Sequence, residues 1–358
     1  MNSKQRFYAS IHYEKPDRPP IAPLHAQVDV WKKLYEYFKV TTHEDFQLIV
    51  GEDFRSIEPR YIGPGLRTFE DGSWEGIWGE RYKWVSFGSS ANAEAVYHPY
   101  ATITSIDEAK KLRYPSPDWY DYSVVKEQCQ KYDDYALYAG SMGHGDFLNG
   151  VAFCRGVQQV LLDVAVEDPV YLYFVERRYE FFYEQIKRIL EAGEGKIDVV
   201  RFGDDLGTQT GPIINPKTFE KLFAPKYEKF FSLVHQYGAK TMMHSCGSIK
   251  AFIPLFIDIG LDILDVVQVD AANMDIEELH RDFYGKIVFS GSISVQNLLR
   301  NGSVETIQEE IVRRKKLFAD GGIFIGPTNI MQVDMPIENF VAMCTAIGCM
   351  GEDCHSYT

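Results

Sequence analysis

Eight short runs of apolar, β-branched and aromatic residues recur along the 358-residue chain, and amphipathic stretches separate them. Most of these runs are almost continuously hydrophobic, which is typical of parallel strands covered on both faces. We predict strands over 19–26, 53–59, 135–143, 198–205, 239–246, 262–269, 286–293 and 322–328. Eight strands that alternate with helices predict an α/β fold, a (β/α)8 TIM barrel that fills residues 1–358 as a single domain.

Helix start signals between the runs support this alternation. Asp168-Pro169 and Asn215-Pro216 each combine a capping side chain with proline at the first helical position. Ser303 with Glu305 predicts a third helix start. The stretch 60–134 is dense in Trp and Gly, and we expect it to be an irregular insertion between the second and third strands. It either covers one mouth of the barrel or is a peripheral segment at the edge of the fold without a function.

Charge and composition narrow the class of protein. A formal net charge of −14 argues against a nucleic-acid partner, which needs a basic surface. No apolar run approaches the roughly 20 residues of a membrane span, and the first ten residues lack the apolar core of an export signal. Six cysteines at uneven spacing do not form the pattern of a disulfide framework. We therefore expect a cytoplasmic protein with reduced thiols.

Polar side chains follow most of the predicted strands. In a TIM barrel, chemistry takes place at the carboxyl ends of the strands. The polar residues at these positions are His25, Glu58, His144, Asp204, Asp205, His244, Cys246, Gln268, Asp270, Ser290, Ser292, Thr328 and Asn329. Each of them alone could be a local turn or capping residue, so the prediction of a site depends on their convergence.

His244 and Cys246 form the most specific pattern in this set. Two residues that are two positions apart on a strand point to the same face. This spacing brings an imidazole nitrogen and a sulfur within a few ångströms, as tetrahedral zinc requires, and zinc would hold the cysteine as a thiolate. The triplet is a weak signal by itself, and two unrelated side chains at a strand end are the alternative. A catalytic zinc site also needs a third protein ligand and one open position.

Asp204 and Asp205 are adjacent carboxylates after the fourth predicted strand. They could serve as general acid and base, orient a substrate amine or complete a metal site, whereas a turn or capping cluster is the structural alternative. The cysteines near the C-terminus, Cys344, Cys349 and Cys354, lack the spacing of structural zinc ligands, so we expect no metal there.

Several segments resemble the uroporphyrinogen decarboxylase superfamily, which includes that decarboxylase and corrinoid-linked methyltransferases. They occur in order over nearly the whole chain: "RFYASIHYEKPDRPPI", "CRGVQQVLLDVAVEDP", "GDDLGTQTGPIINPKTFEKLFAPKYEKFF", "YGAKTMMHSCGSIKAFIPLFIDIGLDILDVVQ", "FSGSISVQNLLRNGSVETIQEEI" and "GGIFIGPTNIMQVDMPIENFVAM". The resemblance implies a (β/α)8 barrel, in agreement with the predicted strands.

Departures from the family pattern favour the methyltransferase branch. The decarboxylase grips its substrate's carboxylates with an arginine-rich segment after the first strand, and "LHAQVDVWKKLYEYF" contains no arginine. Ser292 and Ser294 stand where the family carries a glycine-asparagine-x-aspartate motif. A polyanionic tetrapyrrole would therefore lack its bidentate clamps.

The methyltransferase branch carries histidine-x-cysteine after the fifth strand, which His244 and Cys246 match. The resemblance implies that zinc there binds a thiol as a thiolate, which attacks a methyl group on a cobalt corrinoid. Those enzymes usually carry a further cysteine after the eighth strand, where this chain has Thr328 and Asn329. The third ligand stays open, and the candidates are Asp204, Asp205, Asp270 and His144.

We therefore expect a methyltransferase that moves a methyl group between a corrinoid on a separate carrier protein and a small-molecule donor or acceptor, with zinc as the metal. The expected site residues are Asp204, Asp205 and His144 as catalytic groups, His25, Gln268, Ser292 and Asn329 as substrate-binding groups, and His244 and Cys246 as metal ligands. The alternatives are uroporphyrinogen decarboxylase, acting in porphyrin biosynthesis, and a non-catalytic corrinoid- or small-molecule-binding protein. Assembly into a homo-oligomer stays open.

Overall fold

The computed structural model describes residues 1–87 and 90–350. Of the predictions above, the one for Cys354 falls outside these residues. Twelve strands form in the described part of the chain. In chain order, β1 to β12 span Phe54–Ile57, Arg60–Tyr61, Trp74–Glu75, Arg81–Phe87, Ser90–Tyr97, Tyr120–Asp121, Ala136–Gly140, Val199–Gly203, Lys240–His244, Ile263–Val267, Val288–Ile293 and Ile323–Pro327.

Seven of these strands build one curled sheet in the order β1-β7-β8-β9-β10-β11-β12, and every neighbouring pair is parallel. The prediction of an α/β fold is thus confirmed, and the parallel sheet is TIM-barrel-like.

The segment predicted as the first strand, 19–26, makes only isolated contacts with the sheet. Ile21 forms a single parallel bridge to Ile325 of β12. Prolines at three of the eight positions in this segment lack the N–H group that a strand ladder requires, so a regular strand cannot form there. Side chains instead join this segment to the start of β1, because Glu52 accepts from the Leu24 amide and Asp53 from the Ile21 amide. We call the gap between β1 and residues 19–26 the seam.

Fifteen α-helices surround the sheet in the described residues. In chain order, α1 to α15 span Ser3–Ile11, Val28–Phe38, His43–Ile49, Ile106–Ala109, Ser123–Lys131, Asn149–Arg155, Val157–Val166, Pro169–Gly193, Pro216–Leu222, Ala224–Gln236, Ile253–Asp258, Ile276–Phe283, Leu298–Asn301, Val304–Leu317 and Ile337–Ile347. Two short 3₁₀ helices span Pro117–Trp119 and Lys250–Phe252. The predicted caps are confirmed: Asp168, Asn215 and Ser303 each accept a backbone N–H group in the first turn of α8, α9 and α14.

One apolar side chain from each of the seven sheet strands, together with Ala22 of the segment 19–26, fills the interior of the curled sheet near the amino ends of the strands. This inner cluster consists of Ala22, Phe54, Ala136, Val199, Met242, Ile263, Val288 and Phe324, with Phe7 and Ile11 of α1 packed against them. Side chains alternate along a strand, so residues two positions further on point into the same interior. On β8 to β11 these residues are Arg201, His244, Asp265 and Ser290, and the interior therefore changes from apolar to polar toward the carboxyl ends.

The stretch 60–134 contains two small antiparallel units. Strands β3, β4 and β5 form a three-stranded sheet, and β2 pairs with β6. Trp78, Glu80 and Tyr82 of this stretch line a cavity together with residues that follow β7. Its role as a lid stays a prediction. None of the helices in the described residues combines the length and apolar character needed to cross a membrane.

Candidate metal centre and neighbouring cavities

His244, Cys246 and Asp205 come together where two neighbouring strands end. His244 is the last residue of β9, and Asp205 follows β8 by two residues. The Nε2 atom of His244 lies 3.3 Å from Cys246 Sγ and 3.8 Å from Asp205 Oδ1. The Cys246 amide also donates to Asp205 Oδ1, at 2.9 Å. The three potential ligand atoms lie within 4.8 Å of one another. We call these residues the metal-type cluster.

Asp265 on β10 determines the orientation of His244. One carboxylate oxygen of Asp265 lies 3.0 Å from His244 Nδ1 and accepts from Arg201 Nη2, and the other accepts from Ser290 at 2.8 Å. Burial alone would raise the pKa of Asp265, but Arg201 and His244 outweigh it and hold the pKa well below its usual range. Because an ionised carboxylate can only accept, Nδ1 of His244 carries the proton. In the neutral ring, Nε2 then directs its lone pair toward Cys246 and Asp205.

The Cys246 thiol requires a cation in order to become a thiolate. Burial and the nearby Asp205 carboxylate raise its pKa well above the usual range. The amide nitrogen of Asn329 donates to its sulfur at 3.1 Å. A bound metal ion would reverse this balance, since metal binding and loss of the thiol proton are coupled.

The donor set of the cluster fits zinc. Nitrogen, sulfur and carboxylate oxygen are the ligand types that zinc takes in proteins, and three protein ligands leave a fourth position open. Ordinary zinc–ligand distances place a tetrahedral sulfur and nitrogen about 3.6 Å apart, close to the 3.3 Å between Cys246 and His244. Asp205 is the carboxylate that lies in this cluster.

Asp204 has a different environment, although it is the neighbour of Asp205. It is 1% exposed, and its oxygens accept the backbone N–H groups of Phe147, Leu148 and Asn149, at the start of α6. Burial raises its pKa to about 6 despite these donors. The structure thus assigns Asp204 to a helix start and does not bring it to the metal-type cluster.

Three other predicted site residues have internal partners. Asp270 accepts from Ser294 and Asn297, and Ser292 lies against Arg314 of α14. Neither of them is part of the metal-type cluster. Gln268 accepts the Gly247 amide at 2.8 Å, and it therefore supports the turn that follows Cys246.

His25 lies beside the metal-type cluster, whereas His144 does not. Together with His244, Arg201 and Asn329, His25 lines a narrow pocket. Its Nε2 atom lies 2.5 Å from Arg201 Nη1 and must accept, because a guanidinium only donates. Burial and the Arg201 charge lower the pKa of His25 to about 3.

His144 lines a separate cavity of about 400 Å³, together with Trp78, Tyr82, Phe182 and Gln185. Its Nε2 atom and Gln185 Oε1 both lack a hydrogen-bond partner, although the two side chains approach each other. Burial lowers the pKa of His144 to about 4. His144 therefore does not supply a ligand to the metal-type cluster.

Sequence reasoning missed Arg201 and Asp265. Each is a charged residue in the middle of an otherwise apolar strand, at "DVVRFGDD" and "DILDVVQV". Buried charges occur almost only where they are paired, so these interruptions were a usable signal.

Comparisons with known proteins give the family. No curated protein sequence matches the chain. Among solved structures, the chain is similar to a methyltransferase from Methanosarcina mazei, with 16% sequence identity and a TM-score of 0.64 over 97% of this chain and 98% of that one. At this identity the similarity shows the fold. The family model described as uroporphyrinogen decarboxylase (URO-D) matches residues 165–348, half of the chain. The chain therefore belongs to the uroporphyrinogen decarboxylase family.

Proposed function

We propose that this protein is a methyltransferase of the uroporphyrinogen decarboxylase family. It moves a methyl group between a corrinoid, held by a separate carrier protein, and a small molecule. The observation that carries the proposal is the metal-type cluster, in which His244 Nε2 and Cys246 Sγ lie 3.3 Å apart on one face of a strand end. The methyltransferase name of the structural neighbour from Methanosarcina mazei supports the same reaction class.

Zinc held by Asp205, His244 and Cys246 would supply a Lewis acid that stabilises a thiolate or alkoxide near neutral pH. The surrounding residues keep the ligand atoms in place. Asp265 fixes the ring of His244, and Gln268 fixes the turn after Cys246. Transfer of a cobalt-bound methyl group needs mainly alignment of the reacting atoms, so ligation and positioning are sufficient.

Thr328 and Asn329 follow the last strand, where the methyltransferase branch usually has a cysteine. Asn329 donates to Cys246 Sγ, so it contacts the cluster as a hydrogen-bond donor. Asp205 is the remaining oxygen donor within reach, and we propose it as the third ligand. A sulfur–nitrogen–oxygen set still provides three protein ligands and one open position.

The decarboxylase alternative requires a carboxylate that is free to face pyrrole nitrogens. Asp204 does not meet this requirement, because its oxygens accept three backbone N–H groups. Asp205 is half-exposed, but it lies against His244 and Cys246. The arginine-free segment after residue 23 gives a polyanionic substrate no clamp there.

Two assays on the zinc-loaded protein test the proposal. Incubation with methylcobalamin and a panel of small thiols should remove the methyl group from cobalt, as its absorbance change records, and Cys246→Ala should reduce the rate to background. Incubation with uroporphyrinogen should release no carbon dioxide. Stoichiometric carbon dioxide release would overturn the proposal in favour of the decarboxylase. Absence of turnover and of bound zinc would overturn it in favour of a non-catalytic binding protein.

A further inference from the structure

A cavity of about 500 Å³ lies at the seam, between β1, the segment 19–26 and helices α2 and α3. We call it the seam cavity. Its polar lining includes His25, His43, Glu52 and Arg55. Four aromatic rings also line it, those of Trp31, Tyr35, Tyr132 and Tyr138. The wall thus combines aromatic rings with polar side chains, among them one buried guanidinium.

The guanidinium of Arg55 is buried with part of its hydrogen-bonding capacity unused. Arg55 is 3% exposed, and its Nη1 atom donates to the carbonyl oxygens of Glu52 and Phe54, at 2.9 and 2.7 Å. The Tyr135 ring covers one face of the guanidinium, with its centroid 3.8 Å from the central carbon. The Nε and Nη2 atoms have no hydrogen-bond partner. Their N–H bonds point in the same direction, and this edge is the one that a carboxylate accepts side-on with both oxygens.

The carboxylates near Arg55 have other hydrogen-bond or ion-pair partners. Glu52 directs one oxygen to the Leu24 amide and the other to the Gln47 side chain. Glu44 pairs with Lys131, and Glu58 is exposed and accepts from Ser56. A buried cation with two free donors is costly unless an acceptor arrives. Because two backbone carbonyls already hold the guanidinium in place, such an acceptor would meet a preorganised site.

We propose that the seam cavity binds a small organic carboxylate with a flat apolar body. Its carboxylate accepts from Nε and Nη2 of Arg55, and its body packs against the aromatic rings of the lining. His25 lines both this cavity and the narrow pocket beside His244, so the ligand lies one side chain away from the metal-type cluster. The proposal concerns binding alone and does not depend on the proposed methyl transfer.

Binding of benzoate to the full-length protein tests this inference, with benzamide and inorganic phosphate as comparison ligands. Isothermal titration calorimetry and the change in tryptophan fluorescence, to which Trp31 contributes, report the affinity. Benzoate should bind at least tenfold more tightly than benzamide, which has the same shape but no charge, and more tightly than phosphate. Arg55→Met should weaken benzoate binding at least tenfold. Arg60→Met, which removes an exposed arginine of the same region, should leave it unchanged.

Three results would overturn the inference: equal affinity for benzoate and benzamide, binding of phosphate without benzoate, or no binding at all. Arg55→Lys keeps the charge but loses the two-donor edge, and it serves as the second variant if Arg55→Met fails to fold. It should also bind benzoate more weakly than the wild type does. Zinc content should be the same in both Arg55 variants as in the wild type, so failure of this inference is distinguishable from failure of the metal-type cluster.

Discussion

Two buried arginines on the same sheet differ in the groups that accept hydrogen bonds from their terminal nitrogens. Arg201 on β8 and Arg55 on β1 are 2% and 3% exposed. Arg201 points into the barrel, where the Asp265 carboxylate from β10 and His25 accept from its two terminal nitrogens. Arg55 follows Phe54 of the inner cluster and so points to the other face, on a strand with a neighbour on one side only. Its Nε and Nη2 atoms have no acceptor, whereas Arg201 lacks an acceptor at Nε alone.

This difference in hydrogen-bond acceptors indicates where the fold can bind a ligand. The inside of the curled sheet supplies partners for Arg201 from other segments, Asp265 from β10 and His25 from the segment 19–26. The resulting network also fixes the ring of His244 in the metal-type cluster. At the seam no adjacent strand supplies a partner, and an unused buried donor pair indicates a ligand from outside the chain.

The largest expected effect comes from breaking the hydrogen-bonded network around Asp265. Asp265→Ala removes the acceptor of Arg201 and His244 and leaves a buried charge unpaired, so we expect a loss of about 3–5 kcal/mol in the free energy of unfolding. Urea unfolding measures this, with the exposed Asp107→Ala as control, expected within about 0.5 kcal/mol of the wild type. An unchanged free energy of unfolding in Asp265→Ala would show that this network does not stabilise the folded protein.

The imidazole of His144 is buried and stays neutral, so it places no unpaired charge in the interior. Its pKa is lowered to about 4 in the folded protein, from 6.5. As the pH falls below 6.5, this histidine takes up a proton in the unfolded chain before it does so in the folded protein. The free energy of unfolding therefore decreases between pH 6.5 and pH 4, by about 2–3 kcal/mol, and this contribution is complete above pH 6.5.

Urea unfolding at pH 7, 6 and 5 checks this prediction. In His144→Gln that part of the acid sensitivity should disappear. Parallel pH profiles for the wild type and the variant would contradict the prediction.

Asp204 and Asp205 provide a matched pair of adjacent carboxylates. Asp204→Asn places an amide group against the backbone donors before α6, and we expect a loss of about 1–2 kcal/mol in stability with unchanged zinc binding. Asp205→Asn should change stability by less than about 0.5 kcal/mol but lower zinc affinity at least tenfold. Unfolding curves and zinc titrations of the two variants decide this, and the reverse pattern would identify Asp204 as the ligand.

The smallest effect is expected at the seam. Arg55→Met removes an unsatisfied buried charge together with two hydrogen bonds and a ring contact, so without ligand its stability should stay within about 1 kcal/mol of the wild type. Arg201→Met should cost several times more, because it leaves Asp265 buried without its partner. Thermal unfolding of both variants makes the comparison, and equal losses would remove the distinction between the two sides of the sheet.

The sequence patterns predicted the features that depend on residues close together in the chain, namely the strands and the helix starts. Seven of the eight predicted strands form, and the same-face geometry of His244 and Cys246 follows from strand alternation. The segment 19–26 differs because its prolines cannot complete a ladder.

Partners from distant segments determined the rest. Asp204 turns toward backbone donors at 147–149, nearly 60 positions earlier in the chain, so adjacency to Asp205 gave no indication of which carboxylate faces His244. The pairing of Arg201 with Asp265 depends on the order of the strands in the sheet, which no local pattern specifies.

Zinc stoichiometry tests the central claim most directly. The purified wild-type protein and its variants are equilibrated with zinc, passed through a desalting column and analysed for metal by mass spectrometry. We predict about one zinc ion per chain in the wild type and in Asp270→Asn, and almost none in His244→Ala and Cys246→Ala. A wild type that retains no zinc, or a Cys246→Ala variant that retains as much as the wild type, would contradict the account.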